Sequence, residues 1–255
     1  MRKHMGRKGQ KAAGRWYRSP APQPGEASFQ VVLEQSDLWI TVREDCLPLA
    51  RTRALELLTE ARAPISAWTQ LDPAFGPALA PLDVPDHAPD IVRRMAAAAR
   101  IMQVGPMAAV AGAVAEHVAR GLLPLSPDCL VENGGDSMLF SSKERLVALL
   151  PDPHGKATLG LRLEAGAFPL SLCASSGTFG HSLSFGKGDL AVARSKNACL
   201  ADAAATALCN RLKKPGDAGR VAEFAASFKN QGLDGVFVQC CGEIGVWGDM
   251  ELVSL

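Results

Sequence analysis

The sequence predicts an α+β fold in which largely antiparallel sheets pack against helices. Strand-like segments with alternating apolar and polar residues occur in runs, helical segments also occur in runs, and the two kinds do not alternate strictly. A chain of 255 residues with 47% hydrophobic residues is long enough for one large domain or two small ones. We predict a basic, proline-rich lead-in at residues 1–27 and a single domain at residues 28–255.

The lead-in carries much of the positive charge of the chain. The net charge is +1, but residues 1–18 contain seven Lys or Arg residues and no acid. This composition is typical of a solvated, disordered tail, and the alternative is a basic arm for nucleic acid or an acidic partner. Because the remainder of the chain is acidic, we do not expect a nucleic-acid partner.

Composition also excludes several classes of protein. No apolar run approaches the ~20 residues of a membrane helix, and no apolar segment of a signal peptide follows the basic N-terminus. We therefore expect a cytoplasmic protein without a membrane partner. The seven cysteines form no CxxC pair and no Cys/His ligand spacing, which argues against a disulfide scaffold or a zinc site. Cys240 and Cys241 are predicted to be buried in the middle of a strand.

The first half of the domain is predicted to form a hairpin, three helices and a long connection. Phe29–Gln35 and Leu38–Val42 alternate apolar and polar residues, and Pro48 to about Arg62 has amphipathic helical spacing. Six prolines between Pro64 and Pro89 predict an irregular connection. Gly105–Pro106 divides residues 91–120 into two helices. The core leucines predicted on the first helix are Leu49, Leu55, Leu57 and Leu58.

The helix that follows Pro106 consists largely of alanine and glycine. Such a helix either packs closely against its neighbours or lets a flat ligand approach its N-terminus. Glu116 and His117, near its end, are predicted to be surface or helix-end residues rather than a catalytic pair.

The second half of the domain is predicted to start with a hairpin at Cys129–Phe140. Asn133-Gly134-Gly135-Asp136 forms its turn, which is either an ordinary turn or a place where the backbone approaches a ligand. The further strands predicted are 146–150, 160–164, 169–174, 235–241, 243–247 and 250–253, and a further helix is predicted at 218–229.

The residues most suggestive of function lie between Ser175 and Asn210, in a glycine-rich loop, a short strand and a helix. Asp202 and Thr206 are four residues apart, so a helix places both side-chain oxygens on one face. Carboxylate and hydroxyl oxygens suit a hard cation such as Mg²⁺, and a loop rich in backbone N–H groups suits phosphate oxygens. The segment therefore predicts a site for a cation and a phosphorylated ligand.

The loop itself does not match the two common glycine motifs that it superficially resembles. Five residues rather than four separate Gly180 from Gly186, and Gly188 stands where a phosphate-binding P-loop has Ser or Thr. Nor does the loop have the second glycine of a nucleophile elbow. Its hydroxyl groups, one imidazole and one ammonium suit oxyanion binding, and the alternative is an ordinary glycine-rich turn.

Several segments together resemble the ApbE-like superfamily, and specifically its uncharacterised, cytosolic UPF-type branch. The segments are VGPMAAVAGA (104–113), VENGGD (131–136), SSGTFGHS (175–182), LADAAATA (200–207) and GVFVQCCGEIGVWG (235–248). The resemblance implies a T-fold-like α+β architecture. It also implies the activity of the best-known members, which use Mg²⁺ to cleave FAD and to attach FMN to a Ser or Thr of an acceptor protein.

The resemblance also implies roles for individual residues. Asp202 and Thr206 would be the Mg²⁺ ligands, and His181 would be the base beside the phosphates and the acceptor, so that His181 and Asp202 are the predicted catalytic residues. The residues predicted to bind the flavin nucleotide are Asn133, Gly134, Gly135, Asp136, Ser176, Gly177, Thr178, Ser182 and Lys187.

The chain departs from the transferase pattern at two places. It has Ala111-Gly112 where the transferases have Lys-Gly, and it lacks the Asp-Pro pair that follows their histidine. Two alternatives to a transferase therefore stay open. The resemblance to the UPF-type branch implies an accessory protein of sulfur assimilation in homocysteine synthesis, and the other alternative is a catalytically inactive binding scaffold. The expected partners are a nucleotide, an unidentified acceptor protein and further copies of the chain, since T-fold-like domains associate through sheet edges.

Overall fold

The structure, a computed structural model, describes residues 22–150, 157–177 and 188–255. The strands in these ranges are β1 (Glu26–Leu33), β2 (Ser36–Arg43), β3 (Cys129–Asn133), β4 (Asp136–Phe140), β5 (Arg145–Leu149), β6 (Leu159–Leu163), β7 (Leu170–Ser175), β8 (Leu190–Ser195), β9 (Leu233–Cys240), β10 (Glu243–Gly248) and β11 (Glu251–Ser254). The helices are α1 (Leu47–Leu71), α2 (Asp90–Met102), α3 (Val110–Leu122), α4 (Ala198–Cys209) and α5 (Asp217–Ala226).

The strands form one large sheet and one small sheet. The large sheet has eight strands in the order β1-β2-β3-β4-β7-β8-β9-β10, and the small sheet has three in the order β11-β6-β5. Every neighbouring pair is antiparallel. The predicted α+β class with largely antiparallel sheets is confirmed.

Two hydrophobic cores lie on opposite faces of the large sheet. Alternation along a strand sends neighbouring side chains to opposite faces. In β7, Cys173 belongs to the core that the helices cover, whereas Leu170 and Leu172 belong to the core beneath the small sheet. By the same alternation Ser171 and Ser175 share the helical face with Cys173. The molecule therefore has three layers: helices, the large sheet and the small sheet.

Helix α1 is longer than predicted. It extends to Leu71 with Pro64 inside it, so the prediction that an irregular connection begins at Pro64 was wrong. Ala61, Ile65 and Trp68 are buried on one face of α1 and continue the apolar stripe past the proline. Their burial offsets the backbone hydrogen bond that the proline removes.

The predicted division between α2 and α3 is confirmed, but the residue that ends α2 is not the glycine that the sequence suggested. Gln103, with φ of 58°, rather than a glycine, takes the left-handed conformation that ends α2. Gly105 is needed for a different reason, because a Cβ there would lie 1.8 Å from the carbonyl oxygen of Ala78. The irregular segment between α1 and α2 packs directly on the start of the next helical segment.

The described helices do not include a membrane span. No single described helix is both long enough and apolar enough to cross a membrane. Helix α2 and the segment 106–122 reach that length and apolar character only when taken together, and they are bent by 104° at their junction. Several predictions concern residues outside the described ranges, namely most of the lead-in together with Thr178, His181, Ser182 and Lys187.

Candidate functional site

Several features of the predicted site meet at one end of the large sheet. The β3–β4 hairpin turns through Gly134 and Gly135, whose φ angles of 74° and 115° require glycine. The backbone N–H of Ala174 in β7 donates to Asp136 Oδ1 at 3.3 Å. Ser175, at the end of β7, pairs with Ala191 near the start of β8. The glycine turn and the loop that follows β7 therefore lie at the same end of the sheet.

Helix α4 covers this part of the sheet. It packs on β7 and β8, and all twelve of its residues are buried. The Asn197 side chain caps its start by accepting the Leu200 N–H at 3.1 Å. Alanine-rich faces allow such a helix to lie close to its neighbours. Asp202 and Thr206 lie one turn apart along α4, with 8% and 9% of their surfaces exposed.

The start of α3 fixes the Asp202 carboxylate. The backbone N–H of Gly112 donates to Asp202 Oδ2 at 2.8 Å. A Cβ on Gly112 would lie 2.3 Å from the Ala198 carbonyl oxygen, so only glycine allows this approach of α3 to α4. The Asn133 side chain donates to the Ala111 carbonyl at 3.2 Å. These bonds hold α3, α4 and the β3–β4 hairpin together around one carboxylate.

A second carboxylate and a thiol complete the buried part of the site. Cys173 hydrogen-bonds Asp136, and its Sγ lies 3.7 Å from the Ala198 carbonyl oxygen. Ser171 Oγ lies 3.4 Å from the same sulfur. Burial raises the pKa of the Cys173 thiol well above its usual value, and the charges of Asp136 and Asp202 raise it further. The thiol is therefore neutral and serves as a packing and hydrogen-bonding group rather than as a nucleophile.

The two carboxyl groups destabilise each other's charged form. Burial is the main cause that raises the pKa of both, to about 7 for Asp136 and well above the usual value for Asp202. The charge of Asp136 raises the pKa of Asp202 further, while backbone N–H groups of Gly112 and Ala111 act in the opposite direction. Among the described residues, no cationic side chain acts on the pKa of either group. A bound cation would relieve this repulsion.

The residues present fit a magnesium ion. One Asp202 oxygen accepts the Gly112 N–H, and the carboxylate retains further lone pairs for a metal. The described ranges contain no cluster of three or more His, Cys, Asp or Glu that could hold a metal by itself. Mg²⁺ commonly takes only one or two protein carboxylates and completes its shell with water and substrate phosphates. Ser175 Oγ, buried on the same face of the sheet, has no hydrogen-bond partner among these residues.

The structure brings together part of the predicted site. Asp136 and Asp202 lie close enough for their charges to interact, and the Gly134-Gly135 turn precedes Asp136 directly. Ser176 and Gly177 follow β7, where the Gly177 N–H donates to the Gly188 carbonyl at 3.0 Å. This bond brings together the two described ends of the segment that contains Thr178, His181, Ser182 and Lys187, which themselves lie outside the described residues.

Sequence reasoning missed four contributors: the backbone amides of Ala111, Gly112 and Ala174, and the Cys173 thiol. Backbone groups carry no residue-type signal, so the amides could not be found from composition. The alternation of β7 could have placed Cys173 on the face of Ser175.

A second polar cluster lies at the start of α4 and corrects the prediction for Glu116. Glu116 is only 5% exposed, and it accepts hydrogen bonds from Arg120 at 2.7 Å and from Arg94 at 3.3 Å. Its Oε2 also accepts the Ala198 N–H at 3.3 Å. Glu116 therefore joins α2, α3 and α4 rather than lying at the surface.

The fold is α+β with ApbE-like architecture. The structure is similar to that of an ApbE protein from Thermotoga maritima, with a TM-score of 0.50 and 14% identity over 86% of this chain and 96% of the other. A UPF0280 protein of Methanosarcina acetivorans is 33% identical over 236 residues, 92% of each chain. Another, of Methanocaldococcus jannaschii, is 36% identical over 79% of this chain and 84% of its own. The chain belongs to the UPF0280 proteins and to the family described as AbpE bacteria, whose model matches residues 20–231.

Proposed function

We propose that this protein binds a flavin nucleotide together with Mg²⁺ at Asp136, Asp202 and Thr206, and that it transfers FMN from FAD to a protein Ser or Thr. The observation that carries the proposal is the pair of buried, mutually repelling carboxyl groups beside a glycine turn. Buried charges of like sign are costly unless a counter-charge accompanies them. A hard cation with a bound phosphate supplies that counter-charge.

The described residues would prepare the site for this ligand. Asp202, oriented by the Gly112 amide, and Thr206 would hold the ion on the face of α4. Bound Mg²⁺ supplies positive charge that stabilises the negative charge developing on the pyrophosphate during transfer. The Gly134-Gly135 turn has no side chains, so its backbone can approach the nucleotide closely.

The transfer step would follow the chemistry of phosphoryl transfer. The acceptor hydroxyl oxygen attacks the FMN phosphorus of FAD, a new P–O bond forms, the bond to AMP breaks, and AMP leaves. The hydroxyl proton passes to a base, for which we propose His181 on the family resemblance alone. On the same basis, Thr178, Ser182 and Lys187 would bind phosphate oxygens.

The test is a binding and turnover experiment on the full-length protein. FAD binding is measured by flavin fluorescence with and without Mg²⁺, and AMP release is measured by chromatography with a Thr-containing acceptor peptide. We expect binding to require Mg²⁺ and to weaken at least about tenfold in Asp202→Asn. Asp86→Asn, a change at an exposed carboxylate between α1 and α2, serves as the matched control and should bind as the wild type does.

The outcomes separate the candidate functions. AMP release that depends on Asp202 supports the transferase. Mg²⁺-dependent FAD binding without AMP release supports a nucleotide-binding protein without transferase activity. Binding that is absent, or that is equal in wild type and Asp202→Asn, overturns the proposed site.

A further inference from the structure

The turn between β9 and β10 contains two adjacent cysteines. Cys240 is the last residue of β9 and pairs with Glu243, so Cys241 and Gly242 form a two-residue turn. The prediction that both cysteines are buried within a strand was wrong, because Cys241 is exposed in the turn and only Cys240 is buried. Their sulfur atoms lie 3.8 Å apart.

Cys241 differs from the other cysteines of the chain in its exposure. Cys241 is exposed, whereas the other six are buried. Its φ angle of 54° lies in the left-handed region, which costs a non-glycine residue on the order of 1 kcal/mol. Asn, Asp and Gly are the usual residues of such turns. A cysteine at this position places an accessible thiol next to a buried one.

We propose that Cys240 and Cys241 form a thiol–disulfide exchange site whose substrate is a small-molecule disulfide. The Cys241 thiolate attacks one sulfur of the substrate, a mixed disulfide forms, and the first small thiol leaves. Cys240 Sγ then attacks Cys241 Sγ, the intramolecular disulfide forms, and the Cys240 proton leaves with the second small thiol. Two protein thiols are oxidised, and one disulfide is reduced to two thiols.

The geometry assigns the order of these steps. Cys241 is the thiol that a substrate in solution can reach, and Cys240 lies within a short movement of it. Burial is the main cause that raises the pKa of Cys240 to about 11, so Cys240 is a poor first nucleophile at neutral pH. A disulfide between adjacent residues is strained, so reducing thiols reopen it easily.

The thiol pair lies at the sheet end that carries the candidate nucleotide site. Gln239, the residue before Cys240, pairs with Leu190, and its carbonyl accepts the Asp189 N–H at 2.9 Å. Gly188, the residue before Asp189, binds Gly177 in the rim of that site. The thiol chemistry itself does not depend on the proposed nucleotide function.

Intact-mass spectrometry of the full-length protein after incubation with oxidised glutathione tests the proposal. The wild type should lose two hydrogens and keep no glutathione. Cys240→Ala should instead retain one glutathione on Cys241, and Cys241→Ser should not react. Cys46→Ser, a change at a buried cysteine far along the chain, should behave like the wild type.

A second measurement keeps the test independent of variant folding. A non-reduced digest of the oxidised wild type should contain the peptide with Cys240 and Cys241 linked internally. A stable glutathione adduct on wild-type Cys241, a bond to any other cysteine, or no reaction would each overturn the proposal.

Discussion

Gly112 shows how one residue can determine the position of a buried carboxylate in the candidate site. A Cβ at this position would lie 2.3 Å from the Ala198 carbonyl oxygen and 2.9 Å from Asp202 Cβ. Gly112→Ala must therefore push α3 away from α4 and displace the amide that binds Asp202. We expect the free energy of unfolding to fall by about 1–3 kcal/mol, measured by urea denaturation.

Gly219 provides the matched control for this change. It lies within α5, and a Cβ there would meet nothing within 4 Å. Gly219→Ala should leave stability unchanged or raise it by up to about 1 kcal/mol, because alanine favours the helix. Equal stability of Gly112→Ala and the wild type would show that the close approach of α3 to α4 is not needed.

The charge of Asp202 should make the metal-free protein less stable as pH rises. Its pKa in the folded chain is raised, mainly by burial, so the folded state binds this proton more tightly than the unfolded state does. The advantage is fully present below the unfolded pKa and is lost as pH rises through the folded pKa. Asp202→Asn should therefore increase the free energy of unfolding at pH 8 by on the order of 1–3 kcal/mol in EDTA.

Urea denaturation in EDTA at about pH 5 and pH 8 checks this expectation, since one unit of pKa shift corresponds to about 1.4 kcal/mol. The gain from Asp202→Asn should be larger at the higher pH, and added Mg²⁺ should stabilise the wild type alone. A variant that is less stable than the wild type at pH 8 in EDTA would contradict the sign.

Helix α1 shows where sequence patterns succeed and where they fail. Its amphipathic spacing correctly predicted a helix and the burial of Leu57 and Leu58. Leu49 and Leu55 are exposed instead, because alanines occupy the core-facing positions near them. A small residue that packs against a close neighbour carries little hydrophobic signal in the sequence. The larger leucines were therefore predicted to lie on the core face.

The strands and turns were easier to predict from the sequence than the burial of Glu116. Alternation predicted the hairpins, and two consecutive glycines predicted the β3–β4 turn, because both signals are local. Glu116, by contrast, is buried because Arg94 on α2 and Arg120 on α3 surround it. The contact between Glu116 and Arg94 joins residues distant in the sequence, and no local pattern indicates it.

The candidate site was partly predictable for the same reason. The spacing of Asp202 and Thr206 fixed their common helical face, but only the fold shows Asp136 within charge range of Asp202. The roles of the Gly112 and Ala174 backbone amides follow from packing between elements rather than from residue type.

The two cores separate the side of the large sheet that carries the candidate site from the side that packs on the small sheet. The face of the large sheet under the helices carries the carboxylates, whereas the other face packs on the small sheet through residues such as Leu172 and Phe237. Small-sheet residues do not line the candidate site in the described ranges. The two sides should therefore respond differently to a ligand.

Hydrogen exchange with and without Mg²⁺ and FAD should reveal this difference. A ligand present at about 100 times its Kd stabilises the folded state by about 2.7 kcal/mol. Amides that exchange only when the binding site unfolds should therefore gain roughly 100-fold protection against hydrogen exchange. We expect that gain in α3, α4 and the β3–β4 hairpin. Amides of β5, β6 and β11 that exchange when the small sheet opens alone should gain none, since such an opening leaves the site intact. In Asp202→Asn, binding weakened about tenfold leaves the ligand at about 10 times its Kd, so the gain in α3, α4 and the β3–β4 hairpin should fall to roughly tenfold or less. A gain in the wild type confined to the small sheet would place the ligand on the opposite face of the large sheet.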